Sequence, residues 1–213
     1  MLHYTKQGGN IMKKIKKSVV NKKKKFETLI SNGMELFTKN GLLDVSIDQI
    51  TKKAGVAKGT FYLYFKNKTD FIDQIVFKLL MDLLESGMIK ANENSNSNPV
   101  EYTLEVADYL VNYYSKNPKI LKLIYRHFSW SNILNKFYKS RQPKILYKTF
   151  RDKYKDINII GREVNHILFI LIQLTGSVCY ESIINHSPAP IEEMSETLMR
   201  VIKKILIPLE LAN

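Results

Sequence analysis

Apolar residues recur at three- and four-residue spacing from about Lys24 onward: Phe26, Leu29, Ile30, Gly33, Leu36 and Phe37. That is the period of one helix face, and it predicts a first helix ending at Asn40-Gly41, where Gly41 suits a left-handed C-terminal cap. Ser46-Ile47-Asp48-Gln49 reads as a capping box, in which the Ser46 hydroxyl accepts from the Gln49 backbone N–H and the Gln49 side chain reaches back to the Ser46 backbone N–H. A short second helix through Ala54 follows, closed by Gly55. Only Gly55-Val56-Ala57 separates it from a third helical stretch, Lys58 to Phe65. Asn67 caps a fourth helix beginning at Lys68, whose apolar stripe takes in Ile72, Ile75, Val76, Leu79, Leu80, Leu83 and Leu84.

Beyond a polar loop from Asn92 to Pro99, helical patterns recur at 100–116, 118–127, 131–140, 143–154, 162–185 and 191–207. Pro118 and Pro143 sit at helix starts. In the last helix Glu192 and Glu193 lead and Lys203 and Lys204 trail, matching the helix dipole, and Pro208 is read as its end. No strand alternation and no repeat is found. The reading is all-α, with about nine helices.

Composition narrows the class. The chain has 213 residues, 45% apolar, enough for one ordinary domain or two small ones and too apolar for a disordered chain. Its single cysteine, Cys179, makes no disulfide framework and points to a reducing, cytoplasmic setting. The longest uninterrupted apolar run, Ile167 to Ile172, is far short of the roughly 18–20 residues of a membrane span, so no membrane is expected. No phosphate loop, metal-ligand cluster or nucleophile–base pair is found, so neither an enzyme nor a cofactor is expected. His166 and Cys179 lie too far apart on one helix to share a metal.

Charge changes the picture more. The net charge is +13, and residues 1–70 hold 15 Lys against 5 acids, while the remainder holds 18 bases against 15 acids. A basic N-terminal third on a near-neutral body suggests a polyanion partner there. Eight lysines crowd residues 13–25, and their mutual repulsion predicts a flexible basic arm over residues 1–23, adding nonspecific attraction to phosphates. Lys6-Gln7-Gly8-Gly9 can be encoded by a sequence containing a bacterial ribosome-binding site just ahead of Met12. Residues 1–11 are therefore read as leader and Met12 as the true start, with a short native tail as the alternative.

Two short helices joined by a tight glycine-containing turn in a basic segment read as a helix-turn-helix. The stretch Lys58-Gly59-Thr60-Phe61-Tyr62-Leu63-Tyr64-Phe65 would be the recognition helix, about 12 Å long at 1.5 Å per residue, comparable to the roughly 12 Å width of a major groove. Lys58 can donate to guanine O6 and N7. Gly59 lets the backbone come close. Thr60, Tyr62 and Tyr64 offer hydroxyls to phosphates and apolar atoms to thymine methyls. Phe61 and Phe65 would face inward. Ser46 belongs to the same surface, and Lys68 offers a phosphate both its ammonium and a helix N-terminus.

The segment Leu29 to Phe71 resembles the tetracycline-repressor (TetR) family of bacterial transcriptional regulators. The resemblance rests on Leu36-Phe37, Gly41, Ser46-Ile47, Ile50, Ala54-Gly55-Val56, Lys58-Gly59-Thr60-Phe61-Tyr62, Tyr64-Phe65 and Lys66-Asn67-Lys68. It implies a three-helix DNA-binding head (24–68) and a helical body (69–213) that binds a small effector and dimerises through its last two helices. It implies as partners a double-stranded, near-palindromic operator, a small molecule of unknown identity and a second copy of the chain, with repression the usual mode. The alternative is the same fold on DNA in a non-transcriptional role, such as division or nucleoid coordination. Three positions depart from the family pattern. Thr51 stands for Ala between the two helices of the motif. Gly33 stands for Ala and is expected to weaken the first helix by roughly 1 kcal/mol. Ala57 stands for Ser and is expected to forfeit a cap worth about 1 kcal/mol.

The body is rich in aromatics: Tyr102, Tyr109, Tyr113, Tyr114, Tyr125, Phe128 and Trp130. Most read as core, but aromatics with polar tips suit a largely apolar pocket with a few orienting groups. Tyr109, Tyr113, Tyr125, His127, Trp130 and Gln173 are the candidate effector contacts. The stripe Ile191, Met194, Leu198, Val201, Ile205 and Leu209 offers a dimer surface, and Gly176 and Ser177 would permit close helix approach.

Overall fold

In a computed structural model of the chain, the described residues are 4–41, 44–93, 98–127, 148–154 and 161–210, and they form helices joined by turns, with no strand among them. The helices are α1 (Tyr4–Asn40), α2 (Ile47–Lys53), α3 (Lys58–Tyr62), α4 (Lys68–Glu93), α5 (Pro99–Lys116), α6 (Pro118–His127), α7 (Gly161–Tyr180), a π-helical turn (Glu181–Asn185) and α8 (Ile191–Glu210). Residues 148–153 are also helical. The expected patterns at 131–140 and 143–147 lie outside the described residues. The chain divides into two compact units, Met1–Ile75 and Val76–Asn213, so the boundary falls inside α4, several residues beyond the expected division at Lys68.

The first unit is built on aromatic packing. Leu29, Ile30 and Phe37 from α1, Ile50 from α2, Phe61 and Phe65 from the α3 region and Phe71 and Ile75 from α4 are all buried. The Phe65 ring lies 4.7 Å from Phe71 and 5.0 Å from Phe61, and Phe61 lies 5.2 Å from Phe71. Such pairs contribute about 0.5–1.5 kcal/mol each beyond burial. Gly33 sits where α1 meets α4: a Cβ there would overlap the Phe71 ring and lie 3.2 Å from Ile75. The glycine is a packing requirement of this core and not merely a weak point in α1.

Local signals set most element ends. Ser46 accepts from the Gln49 N–H at 3.2 Å and Gln49 Oε1 accepts from the Ser46 N–H at 2.6 Å, which is the expected capping box. Gly41 and Gly55 adopt φ +85° and +64°, the left-handed caps their positions require. Ala57 makes no side-chain cap to α3. Thr51 is buried, and its hydroxyl donates to the Ile47 and Asp48 carbonyls at 3.0 and 3.1 Å, so its polarity is absorbed within α2. The Asp70 N–H donates to Asn67 Oδ1 at 2.9 Å, capping α4.

Three expectations are corrected. First, residues 4–23 are not a loose arm: α1 is one continuous 37-residue helix. Lysine is a good helix former, and the run carries no proline or other helix breaker from Ile11 to Lys25. Second, α3 has five residues, not eight. The Leu63 N–H bonds to Thr60 O and the Tyr64 N–H to Phe61 O, three-residue spacings that tighten the chain into turns after Tyr62. Third, α8 continues past Pro208 to Glu210, since a proline near a helix end forfeits one bond without ending the helix outright.

In the second unit α5 packs against α6, α7 and α8, and α7 against α6 and α8. Thr103 Oγ1 and Tyr154 Oη both donate to Pro99 O at 2.9 Å, and the two hydroxyls also contact each other. Cys179 is fully buried, and burial pushes its thiol up to about 12. The segment His166–Asn185 is, by length and mean hydropathy of 1.8, apolar enough to cross a membrane. The uninterrupted apolar run within it is short because Gln173, Thr175, Gly176 and Ser177 interrupt the segment without adding charge. Within the unit that segment packs on α5, α6 and α8.

Candidate nucleic-acid interface

α3 presents two opposite chemistries. Phe61 is fully buried and Phe65 is 1% exposed, while Tyr62 and Leu63 are 52% and 80% exposed. Lys58 and Gly59 are also exposed, and Thr60 is half-buried. The inward rings fix α3 against α1 and α4, so the outward side chains are held on a rigid base. A Cβ added at Gly59 would meet nothing within 4 Å. A glycine inside a helix costs about 1 kcal/mol relative to alanine, and no contact within the described residues requires it.

Lys58 does not stand alone. Its ammonium lies 2.9 Å from one carboxylate oxygen of Asp48 and 3.1 Å from the other, and that hydrogen bond, with the Asp48 charge, raises its pKa above the ordinary lysine value. Both side chains are more than half exposed, so the pair is worth little to stability. Its effect is to hold the ammonium at the start of α3. Sequence reasoning missed this partner, although Asp48 lies inside the capping-box tetrapeptide. Opposite charge at the exposed face of the preceding helix was the available signal.

Ser46 is exposed, and while its oxygen accepts from Gln49 a hydroxyl retains its own hydrogen to donate. Tyr64 is half-buried against Phe26, the ring centroids 6.0 Å apart. Lys68 lies in the first turn of α4 and is half-buried. There the Lys66 N–H donates to Asp70 Oδ2 at 3.0 Å, so a carboxylate shares that turn. Ser46, Lys58, Gly59, Thr60, Tyr62, Tyr64 and Lys68 all belong to the first unit. Sequence reasoning also passed over Leu63, a large apolar side chain held in solvent at the end of α3.

The expected effector residues are only partly brought together. Tyr125 and Gln173 line one cavity of about 690 Å³, with Leu80, Tyr114, Leu121, Ile124, Phe169 and Ser177 among its walls. Tyr125 also stacks on Tyr180, centroids 3.9 Å apart. Tyr114 is buried, and burial holds its hydroxyl well above the usual tyrosine range. Tyr109 and Tyr113 are not among the described lining: they stack on each other at 6.4 Å, and Lys90 lies 5.9 Å from the Tyr109 ring. His127 is half-buried at the end of α6. Trp130 lies outside the described residues. Gly176 also lines this cavity, and a Cβ added there would meet nothing within 4 Å.

Residues 29–75 match the family model of bacterial regulatory proteins, tetR family. Over 61 residues the chain is 43% identical to the uncharacterized HTH-type transcriptional regulator YvdT of Bacillus subtilis, a match covering 29% of this chain and 31% of that protein. The chain thus matches under a third of that curated relative's length. Solved structures extend the likeness to the fold of nearly the whole chain. A TetR transcriptional regulator from Rhodococcus sp. RHA1 superposes with a TM-score of 0.63 at 18% identity, covering 86% of this chain and 96% of that one. Thermus thermophilus FadR, a TetR-family repressor in complex with lauroyl-CoA, superposes with a TM-score of 0.59 at 18% identity, covering 83% and 92%.

Proposed function

We propose that this chain, whose residues 29–75 match the tetR family model of bacterial regulatory proteins, is a ligand-responsive transcriptional regulator that binds a near-palindromic operator as a homodimer and represses. The observation that carries the reading is the division of α3, with Phe61 locked in an aromatic core and Lys58, Gly59, Tyr62 and Leu63 turned to solvent. Two such helices entering successive major grooves read half-sites about one helical turn, 34–36 Å, apart. Lys58 reads a base edge, Tyr62 and Thr60 hold the flanking backbone or touch a thymine methyl, and Ser46, Tyr64 and Lys68 give donors to phosphates.

Dimerisation through α7 and α8 is supported by large apolar side chains left in solvent there: Phe169, Ile170 and Val201 are 40–45% exposed. Effector binding is supported by the cavity beside Tyr125 and Gln173, lined mostly by leucine, isoleucine and aromatic side chains and of a size that suits a mostly apolar small molecule. The described lining carries no charged side chain. Acyl-CoA thioesters, the class held by the T. thermophilus neighbour, are the first compounds to test. To act as inducer, such a ligand must bind the DNA-incompetent form more tightly, since equal affinity for both forms shifts nothing.

The test is a footprint on the DNA upstream of the chain's own gene, repeated with candidate effectors. A protected, two-fold symmetric site lost on adding ligand is the expected result. Binding dispersed over the genome with no promoter site would replace this reading with a nucleoid or division role. Absence of any DNA binding would end both.

A further inference from the structure

The continuation of α1 beyond its core-packing residues creates a feature that helix-turn-helix chemistry does not require. Lys17, Ser18, Asn21, Lys22 and Lys25 of α1 line a cleft of about 540 Å³ together with Thr60, Leu63 and Tyr64. Positions 17, 21 and 25 are four apart and 18 and 22 flank them, so all lie on one helix face. Among the described residues, three ammonium groups, an amide and three hydroxyls line the cleft, and no carboxylate does. The described residues provide Lys17, Lys22 and Lys25 with no ion pair, whereas Lys23, off the cleft, pairs with Glu27 at 3.7 Å.

We propose that this cleft seats the sugar–phosphate backbone flanking the bases that α3 reads, so that the N-terminal part of α1 is a preformed helical clamp and not a loose polycationic tail. The inference rests on the DNA-binding reading given above. The occupant follows from the chemistry: a cleft of cations and hydroxyl donors, without acidic side chains, suits a row of phosphates. Lys17 to Lys25 spans about 12 Å of helix axis, the distance over which one DNA strand carries three or four phosphates. Leu63, 80% exposed at the cleft's edge, supplies an apolar surface for the deoxyribose between them. Thr60 and Tyr64 belong to both the cleft and the recognition region, which fixes the register of clamp and reader.

Two variants of the full chain test this. The triple variant Lys17→Gln, Lys22→Gln, Lys25→Gln removes the cations from exposed positions. Ser18→Pro keeps every charge but interrupts α1, because proline clashes with the preceding turn and removes a helical donor. Losing three phosphate contacts per head lowers the salt slope by about 2.7, so between 50 and 200 mM salt the wild type should lose about 40-fold more affinity per head than the triple variant. The triple variant should lose protection at the footprint's outer edges while keeping the wild-type base preference. Ser18→Pro should lose the same edges. A wild-type footprint with unchanged edges and salt slope in the triple variant overturns this inference alone. Unchanged edges in Ser18→Pro, with its charges intact, overturn the helical clamp in favour of a flexible tail. A wild-type chain that binds no DNA overturns both the inference and the reading beneath it.

Discussion

Gly33 shows how one position changes meaning between sequence and structure. By helix propensity alone Gly33→Ala should stabilise α1 by about 1 kcal/mol. The added Cβ would instead overlap the Phe71 ring, and overpacking a core costs typically about 1–3 kcal/mol. The expected outcome is net destabilisation, read as a lower urea midpoint with unchanged m. The clash joins residues 38 positions apart, and no local pattern announces it. Lys58 is the complementary case. Its exposure was legible from the turn and the flanking phenylalanines, but its tether to Asp48 was not. Lys58→Ala should relax preference at one operator position and cost about 1–3 kcal/mol in binding, measured by a randomised-operator selection. If this face meets phosphates as proposed, Asp48→Asn should tighten binding to all sequences, because it removes a carboxylate from it. A selection profile unchanged by Lys58→Ala would exclude direct base reading by that residue.

Helix starts were more legible than helix ends. A capping box is written in four consecutive residues, so α2 could be placed from Ser46 and Gln49 alone. Ser46→Ala should cost about 0.5–2 kcal/mol of stability, measured by thermal or denaturant unfolding. It should also lower DNA affinity, if the hydroxyl meets a phosphate as proposed. The ends of α3 and α1 were misjudged for physical reasons. After Tyr62 the Leu63 and Tyr64 N–H groups make three-residue bonds before Phe65 returns to a four-residue bond with Phe61, which apolar spacing does not report, since Phe61 and Phe65 keep a four-residue interval through the turn. In α1 the lysine run suggests repulsion, but lysine's helix propensity and continuity with the core-packed part of the same helix outweigh it.

At the scale of the molecule, the head was legible because its functional residues lie within one short segment. The cavity beside Tyr125 and Gln173 was less legible, because its walls come from α4, α5, α6 and α7, whose order in space periodicity leaves open. Tyr114 lines the same cavity, yet its spacing alone reads as core. If α7 and α8 form the proposed dimer surface, Ile170→Glu should bury an unpaired carboxylate there, at a cost of several kcal/mol. Sedimentation should then show monomers, with operator affinity falling alongside; dimers of undiminished affinity would exclude that face. The buried state of Cys179 has a practical consequence for such experiments. Its thiol, pushed up to about 12 by burial, is protonated at neutral pH and sheltered from reagents, and it is the only cysteine in the chain. The native protein should therefore react only slowly with maleimides, and Leu63→Cys would introduce a single reactive handle at the tip of α3. A fluorophore placed there would report, by quenching or anisotropy, when the recognition surface docks on DNA and when an effector lifts it off, with no need to engineer the natural cysteine away.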